Sequence, residues 1–197
     1  MSPRAGLDAA AVVDVAAELA DQDGLEQVTL TQLASALGVR APSLYNHVAG
    51  LLGLRRALAV RGLQELNFRL GRAGLGQSGD AAVLAMAEAY RGFVREHPGL
   101  YAATVRSPRL ADPADAELLA AEQALLDTVL AVLGAYQLRG AAAVHAARGL
   151  RSAIHGFATL EAGEGFGIAV DVDESFRQLM QVVVAGLRRG ARRTGAK

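Results

Sequence analysis

Apolar positions recur along the chain with the period of about 3.6 residues that marks a helix, and no stretch alternates as a half-buried strand would. Val12, Val15, Ala16 and Leu19 trace a first helix, with Asp8, Asp14, Glu18 and Asp21 mostly on other faces and Asp23-Gly24 at its end. Thr29 opens a second, in which Leu30, Leu33, Ala34 and Leu37 repeat the spacing. Thr29 with Gln32 forms a capping-box pattern, the hydroxyl taking one orphan N–H and the amide reaching back. Gly38 suits the left-handed turn that ends such a helix. The third helix is very short, with Pro42 near its first turn and Leu44 on its buried side.

A longer helix covers about 51–70, through Leu54, Leu58, Arg61 and Leu66, and the glycine-rich run 71–79 is the predicted domain boundary. Residues 81–96 are amphipathic up to His97-Pro98-Gly99, which breaks the pattern; a short piece follows at about 100–105. After Ser107-Pro108, Asp112 as cap and Pro113 at the first helical position predict a helix ending near Gly134. The last two helices are predicted over about 139–160 and 172–189, joined by the loop Gly163-Glu164-Gly165-Phe166-Gly167. The expected fold is all-α, with about nine helices and no sheet.

Composition narrows the class. The chain has 197 residues, 52% hydrophobic and 20% charged, which suits a packed protein of one or two domains. Twenty Lys and Arg balance twenty Asp and Glu, which excludes a globally basic coat but permits a local basic patch. The basic residues are arginines except Lys197, a bias that GC-rich coding explains as readily as guanidinium chemistry. Without cysteine there is no disulfide, Cys-ligated zinc or thiol catalysis. No secretory apolar core opens the chain, and no run of about 18 uncharged apolar residues offers a membrane span. A cytoplasmic protein is expected.

The segment 29–48 carries the chemistry. Two helices that cross steeply need a small residue where they touch and a turn between them; Ala34 and Gly38 supply these, with Leu37, Val39, Leu44 and Val48 as internal contacts. Such a unit presents its second helix outward, where it can enter a major groove. The candidate DNA-contacting residues are Thr29, Thr31, Arg40, Ser43, Tyr45, Asn46 and His47. Asn can bond adenine in two places and Arg guanine, each discriminating by roughly 1–3 kcal/mol. Ser43 and Asn46 are the groove candidates and His47 a phosphate contact. Thr29 either caps its helix or touches a phosphate, and Tyr45 either packs on the first helix or does the same. A tight corner between helices with no ligand is the competing reading.

At these residues the chain resembles a known family. Leu33-Ala34-x3-Gly38-Val39-x4-Leu44-Tyr45-x-His47-Val48, after a helix of roughly 20 residues and before a long one, is similar to the TetR family of transcriptional regulators. The run from Arg148 to Glu161, with Gly165-Phe166-Gly167 and Asp173-Glu174-Ser175-Phe176, resembles its WHG-type C-terminal domain, with Ala153, Ile154 or a neighbour in place of the tryptophan. The resemblance implies a helix-turn-helix DNA-binding domain over 1–50, a connecting helix over 51–72, and a helical ligand-binding and dimerisation domain over 78–191. It further implies a sequence-specific DNA-binding regulator, a repressor released by a small-molecule ligand, with the connecting helix as the lever. A helical small-molecule-binding or assembly module that does not bind DNA is the alternative.

Two departures bear on this. Many members carry a lysine after the Tyr-x-His segment that holds a phosphate; Gly50-Leu51-Leu52 stands here, so that contact is missing or moves to Arg55 or Arg56. Residues 1–49 hold two arginines against six carboxylates, a net of −4, whereas 50–72 hold five arginines against Glu65, a net of +4. A shallow salt dependence of DNA binding is therefore expected.

A single short recognition helix reads few base pairs, so a homodimer on a palindromic operator is expected. The predicted interface is two apolar stripes, Ala147, Leu150, Ile154 and Phe157 with Phe176, Leu179, Val183 and Leu187, set against the reading that they serve the subunit's own core. A small apolar or neutral ligand is expected among Met86, Tyr90, Phe93, Tyr101, Leu125 and Val129, with His145 or His155 as polar anchor, set against a filled core. No cofactor or metal is implied: the four histidines are scattered, and His97 reads as a helix-end residue. Ser152 and His155 share a helix face as chance often arranges, so no catalytic residue is assigned. Glycines 163, 165 and 167 lack the Lys-Ser/Thr of a phosphate loop, and Arg188, Arg189, Arg192 and Arg193 read as a solvated tail.

Overall fold

The computed structural model describes residues 8–105 and 115–194. Ser107, Pro108, Asp112 and Pro113 lie outside the described residues, as do the side chains of Arg192 and Arg193. Nine α-helices and no strand occur among the described residues: α1 (Ala9–Asp23), α2 (Leu30–Ala36), α3 (Ala41–Leu44), α4 (Gly50–Gly74), α5 (Gly79–Glu96), α6 (Pro98–Val105), α7 (Ala116–Leu133), α8 (Gly140–Ala162) and α9 (Val172–Thr194). They form two compact units. One comprises Met1–Gln64 with His97–Ala121, the other Glu65–Glu96 with Glu122–Lys197. The glycine run expected as a boundary forms the end of α4 and its junction with α5.

In the first unit Asp8 caps α1, its carboxylate accepting from the Ala11 N–H at 2.7 Å, and Val12, Ala16 and Ala20 form the buried stripe. The His97-Pro98-Gly99 break does more than end α5. Gly99 lies so close to α1 that a Cβ would overlap the Ala20 carbonyl. Asp21, one residue on, accepts from the Leu100 N–H at 2.9 Å and lies 2.8 Å from His97 Nδ1, so it caps α6 across the contact. Gly62 of α4 fits beside Leu100 and Thr104 of α6 by the same logic. At the start of α7, Asp115 accepts from the Leu118 N–H at 3.1 Å.

In the second unit α5, α8 and α9 pack on one another. Phe93, Ala158, Phe176 and Met180 are fully buried there. Tyr136 donates to Asp80 at 2.6 Å, and burial pushes its phenol above the usual range. Thr128 of α7 donates to Asn67 of α4 at 2.7 Å. α7 is long and apolar enough to match a membrane span by length and composition, although Glu122 and Asp127 interrupt it.

Within the single chain the two stripes expected to meet a second subunit are largely covered by its own helices. Ala147, Leu150, Ile154, Phe176 and Leu187 are buried inside the subunit, and Phe157, Leu179 and Val183 are half-buried. Helical periodicity reports that a face is apolar, not what covers it; here α5 is a third helix on the same core. The outward residues of α8 and α9 are mostly small or polar, His145, Arg148, Gly149, Ser152 and Thr159 on one and Ser175, Gln178 and Gly186 on the other, but Leu160 and Val182 are exposed as well.

Candidate nucleic-acid interface

The site is built from short-range bonds. The Thr29 hydroxyl accepts from the Gln32 N–H at 3.2 Å while Gln32 Oε1 accepts from the Thr29 N–H at 3.0 Å, so the capping box is closed and α2 starts at Leu30. Gly38 adopts a φ of +66°, the left-handed turn, and the Val39 N–H reaches back to the Ala34 carbonyl at 3.0 Å. Arg40 is extended, which swings the chain into α3 with Pro42 in its first turn. α3 itself is only four residues, but the Val48 N–H donates to the Leu44 carbonyl at 2.9 Å and carries the helical path onward. Leu33, Ala34, Leu44 and Val48 are buried beneath.

This places the polar residues outward together. Thr29, Thr31, Arg40, Ser43, Tyr45 and Asn46 are exposed, Tyr45 at 64%, and His47 is half-buried. Tyr45 at that exposure does not pack into the core. Arg40, Ser43, Tyr45 and Asn46 make no side-chain hydrogen bond or ion pair among the described residues. Side chains held on a rigid corner without internal partners are available to base edges and phosphates.

The charge asymmetry along the sequence is largely settled within the chain. Arg55 of α4 pairs with Glu26 at 2.8 Å and Arg61 with Asp14 at 3.4 Å, so acidic groups of the first segment meet basic groups of the second. Arg56 grips Asp115 with two nitrogens and donates to Glu117 at 2.7 Å. That grip holds the Asp115 carboxyl down at about 2 and pushes the Arg56 guanidinium further up. Both arginines that stood in for the missing lysine are thus already bound to carboxylates.

Residues 83–183 match the family model described as Tetracyclin repressor-like, C-terminal domain. The uncharacterised HTH-type transcriptional regulator YobS of Bacillus subtilis (strain 168) is 40% identical over 187 residues, which cover 95% of this chain and 96% of YobS. The chain belongs to the TetR family. A Rhodococcus sp. RHA1 protein of unknown function has a structure with a TM-score of 0.80 at 26% identity, covering 95% of this chain and 100% of that one. TetR-Q116A from Acinetobacter baumannii AYE, solved with minocycline, shares the fold with a TM-score of 0.71 at 22% identity, covering 93% of this chain and 98% of that one. This TetR-family protein is a DNA-binding transcriptional regulator with a helix-turn-helix, and the family acts as dimers that respond to small molecules.

The other expected site residues are not gathered in one place. Met86, Tyr90 and Phe93 are buried on α5, and Leu125 and Val129 are half-buried on α7, all within the second unit. Tyr101 belongs to the first unit. His145 is exposed on α8. His155 is half-buried, its Nδ1 3.3 Å from the Thr159 hydroxyl rather than joined to Ser152. An open groove of about 440 Å³ lies elsewhere in that unit, along Glu65, Phe68, Arg72, Glu88 and Gly92.

Sequence reasoning missed Arg91. It is 3% exposed, bonded to Glu161 at 2.6 and 2.7 Å and to Asp173 at 2.7 Å, with the Phe157 and Phe176 rings 5.5 and 4.8 Å from its guanidinium carbon. The available signal was an arginine between Tyr90 and Phe93 on an otherwise apolar stripe.

Proposed function

We propose that this regulator reads DNA with Thr29, Thr31, Arg40, Ser43, Tyr45, Asn46 and His47. Ser43 and Asn46 meet base edges in the major groove, while Arg40, Tyr45 and His47 fix the helix against phosphates. The observation that carries this reading is the row of exposed polar side chains without internal partners on the second helix of the motif. A homodimer on a palindromic operator supplies two such helices.

The dimer forms through the outward faces of α8 and α9. Gly149, Gly156 and Gly186 stand mid-helix, where glycine costs roughly 0.5–1 kcal/mol relative to alanine, and a Cβ at any of them would meet nothing within 4 Å in the chain. Close approach of a second subunit is what such positions serve. The protein acts in the cytoplasm as a repressor, released when a small apolar or neutral molecule enters the second unit near Met86, Tyr90, Phe93, Leu125 and Val129. A protein of the same fold that holds minocycline supports a site of this kind, not this ligand.

The test is selection of duplexes from a random pool at moderate salt, followed by binding of the Tyr45→Ala/Asn46→Ala double variant to the enriched sequence. An enriched palindrome and a loss of roughly 100-fold in affinity are expected, from two contacts worth about 1–3 kcal/mol each, with unfolding unchanged. Equal affinity of variant and parent would remove the assignment of the recognition helix.

A further inference from the structure

The arginines at the start of α4 are held unequally. Arg56 reaches two carboxylates through three hydrogen bonds, to both oxygens of Asp115 and to Glu117. Arg55 has one, donated through a single terminal nitrogen to Glu26 at 2.8 Å. Its Nε–H is shut off from water and bonds nothing among the described residues. A buried donor without an acceptor costs free energy, so Arg55 is held less completely than its neighbour. The pair also stays open to solvent, with the Arg55 side chain 36% exposed and that of Glu26 50%.

Glu26 lies on the single 3-10 turn Leu25–Gln27, three residues before Thr29. Gly50 opens α4 two residues after Val48, its N–H donating to the Val48 carbonyl at 2.9 Å. Arg55 follows five residues on, about 7.5 Å of helix rise. The ion pair therefore ties the entry to α2 to the start of α4, the two segments that flank the reading row, all within the first unit. DNA presents a dense row of phosphates to such a row, and an exposed carboxylate beside it repels them. We infer that Glu26 acts as an internal substitute for a DNA phosphate: it occupies Arg55, withholds it from the DNA backbone, and holds DNA affinity below what the arginines of this chain allow. The inference rests on the reading of 29–47 as the face that meets DNA. Arg55 is the arginine to which it applies, because one bond and an unpaired Nε–H make it easier to release than Arg56 with three bonds.

The test is DNA affinity measured across salt on an unselected duplex, since phosphate contacts carry no sequence information. Glu26→Gln is compared with the parent, with Glu26→Gln/Arg55→Ala, and with Glu18→Gln, which removes the same charge from an exposed position of α1. Glu26→Gln should bind at least threefold tighter, and its log–log salt slope should steepen by about 2, one further phosphate for each subunit of a dimer. Both gains should vanish in Glu26→Gln/Arg55→Ala, while Glu18→Gln stays within about twofold of the parent, with helical circular dichroism unchanged throughout. A pair that is only a structural tie would give the opposite sign, Glu26→Gln binding as the parent does or more weakly. That result, or a gain that survives Arg55→Ala or is matched by Glu18→Gln, overturns the inference. The recognition helix is judged apart from this, by the loss of sequence preference in Tyr45→Ala/Asn46→Ala on the enriched duplex. Failure of parent and variants alike to bind any duplex overturns both.

Discussion

Arg56 in the first unit and Arg91 in the second each hold two carboxylates contributed by residues far along the chain, with similar geometry: Arg56 takes Asp115 and Glu117, Arg91 takes Glu161 and Asp173. They differ in solvent. Arg56 is about a third exposed, whereas Arg91 lies against the Phe157 and Phe176 rings with almost no access to water. In water-facing surroundings an ion pair trades hydration for contact at nearly even terms. In the core the same grip must hold, because the guanidinium cannot return to water without opening the fold, although its partner Asp173 stays largely exposed. Two bonding patterns that look alike on paper thus have different consequences: one orders the start of α7 near the reading head, the other ties α5, α8 and α9 into one body.

Removing the buried guanidinium is the largest test of that difference. Arg91→Ala leaves Glu161 only the longer contact with Arg95 at 3.9 Å and strips the guanidinium from the Phe157 and Phe176 rings, and should destabilise the protein by about 3 kcal/mol; a loss below about 1 kcal/mol in denaturant unfolding would erase the distinction. Within the first unit, close backbone fit should matter more than charge. Gly99→Ala forces α6 off the Ala20 carbonyl and should cost about 2 kcal/mol, read in the same unfolding experiment.

Arg56→Ala should cost about 1 kcal/mol or less. Its partner provides a pH signature. Because Arg56 depresses the Asp115 carboxyl from the usual range near 3.8 to about 2, the stabilisation is present above that range and fades as pH falls toward 2. The stability gap between parent and Asp115→Asn should therefore close between roughly pH 4 and 2. A gap independent of pH would mean that the carboxylate charge contributes nothing. The smallest effect concerns DNA. With Arg55, Arg56 and Arg61 engaged inside the chain, Arg40 is the reading-face guanidinium without a side-chain partner among the described residues, one per subunit. A log–log salt slope near −2 is expected for the dimer, and a slope steeper than about −5 would mean that the α4 pairs open on DNA.

The helix-turn-helix was the most legible part of the chain because each of its determinants acts within about five residues. The Thr29–Gln32 box, the left-handed Gly38 and Pro42 at the start of α3 all stand as their local chemistry dictates. The faces of α8 and α9 were less legible. Their apolar stripes were readable, but whether α5 or another subunit covered Leu150, Ile154 and Phe176 was not written in their spacing. His97-Pro98-Gly99 shows the same limit from the other side: its role as a break was local, its role as the seat of α1 was not.

The sequence by itself determined the order of the helices, the caps and turns of the helix-turn-helix, the apolar stripes and the family to which the chain belongs, because capping, turns and periodicity depend on neighbours a few positions away. Only the tertiary structure decided which carboxylate each arginine would meet and which helix each stripe would bury. Those partners lie 29 to 82 positions apart in the chain, and at that distance complementary charge or apolarity names a class of partner, while three-dimensional proximity chooses the one.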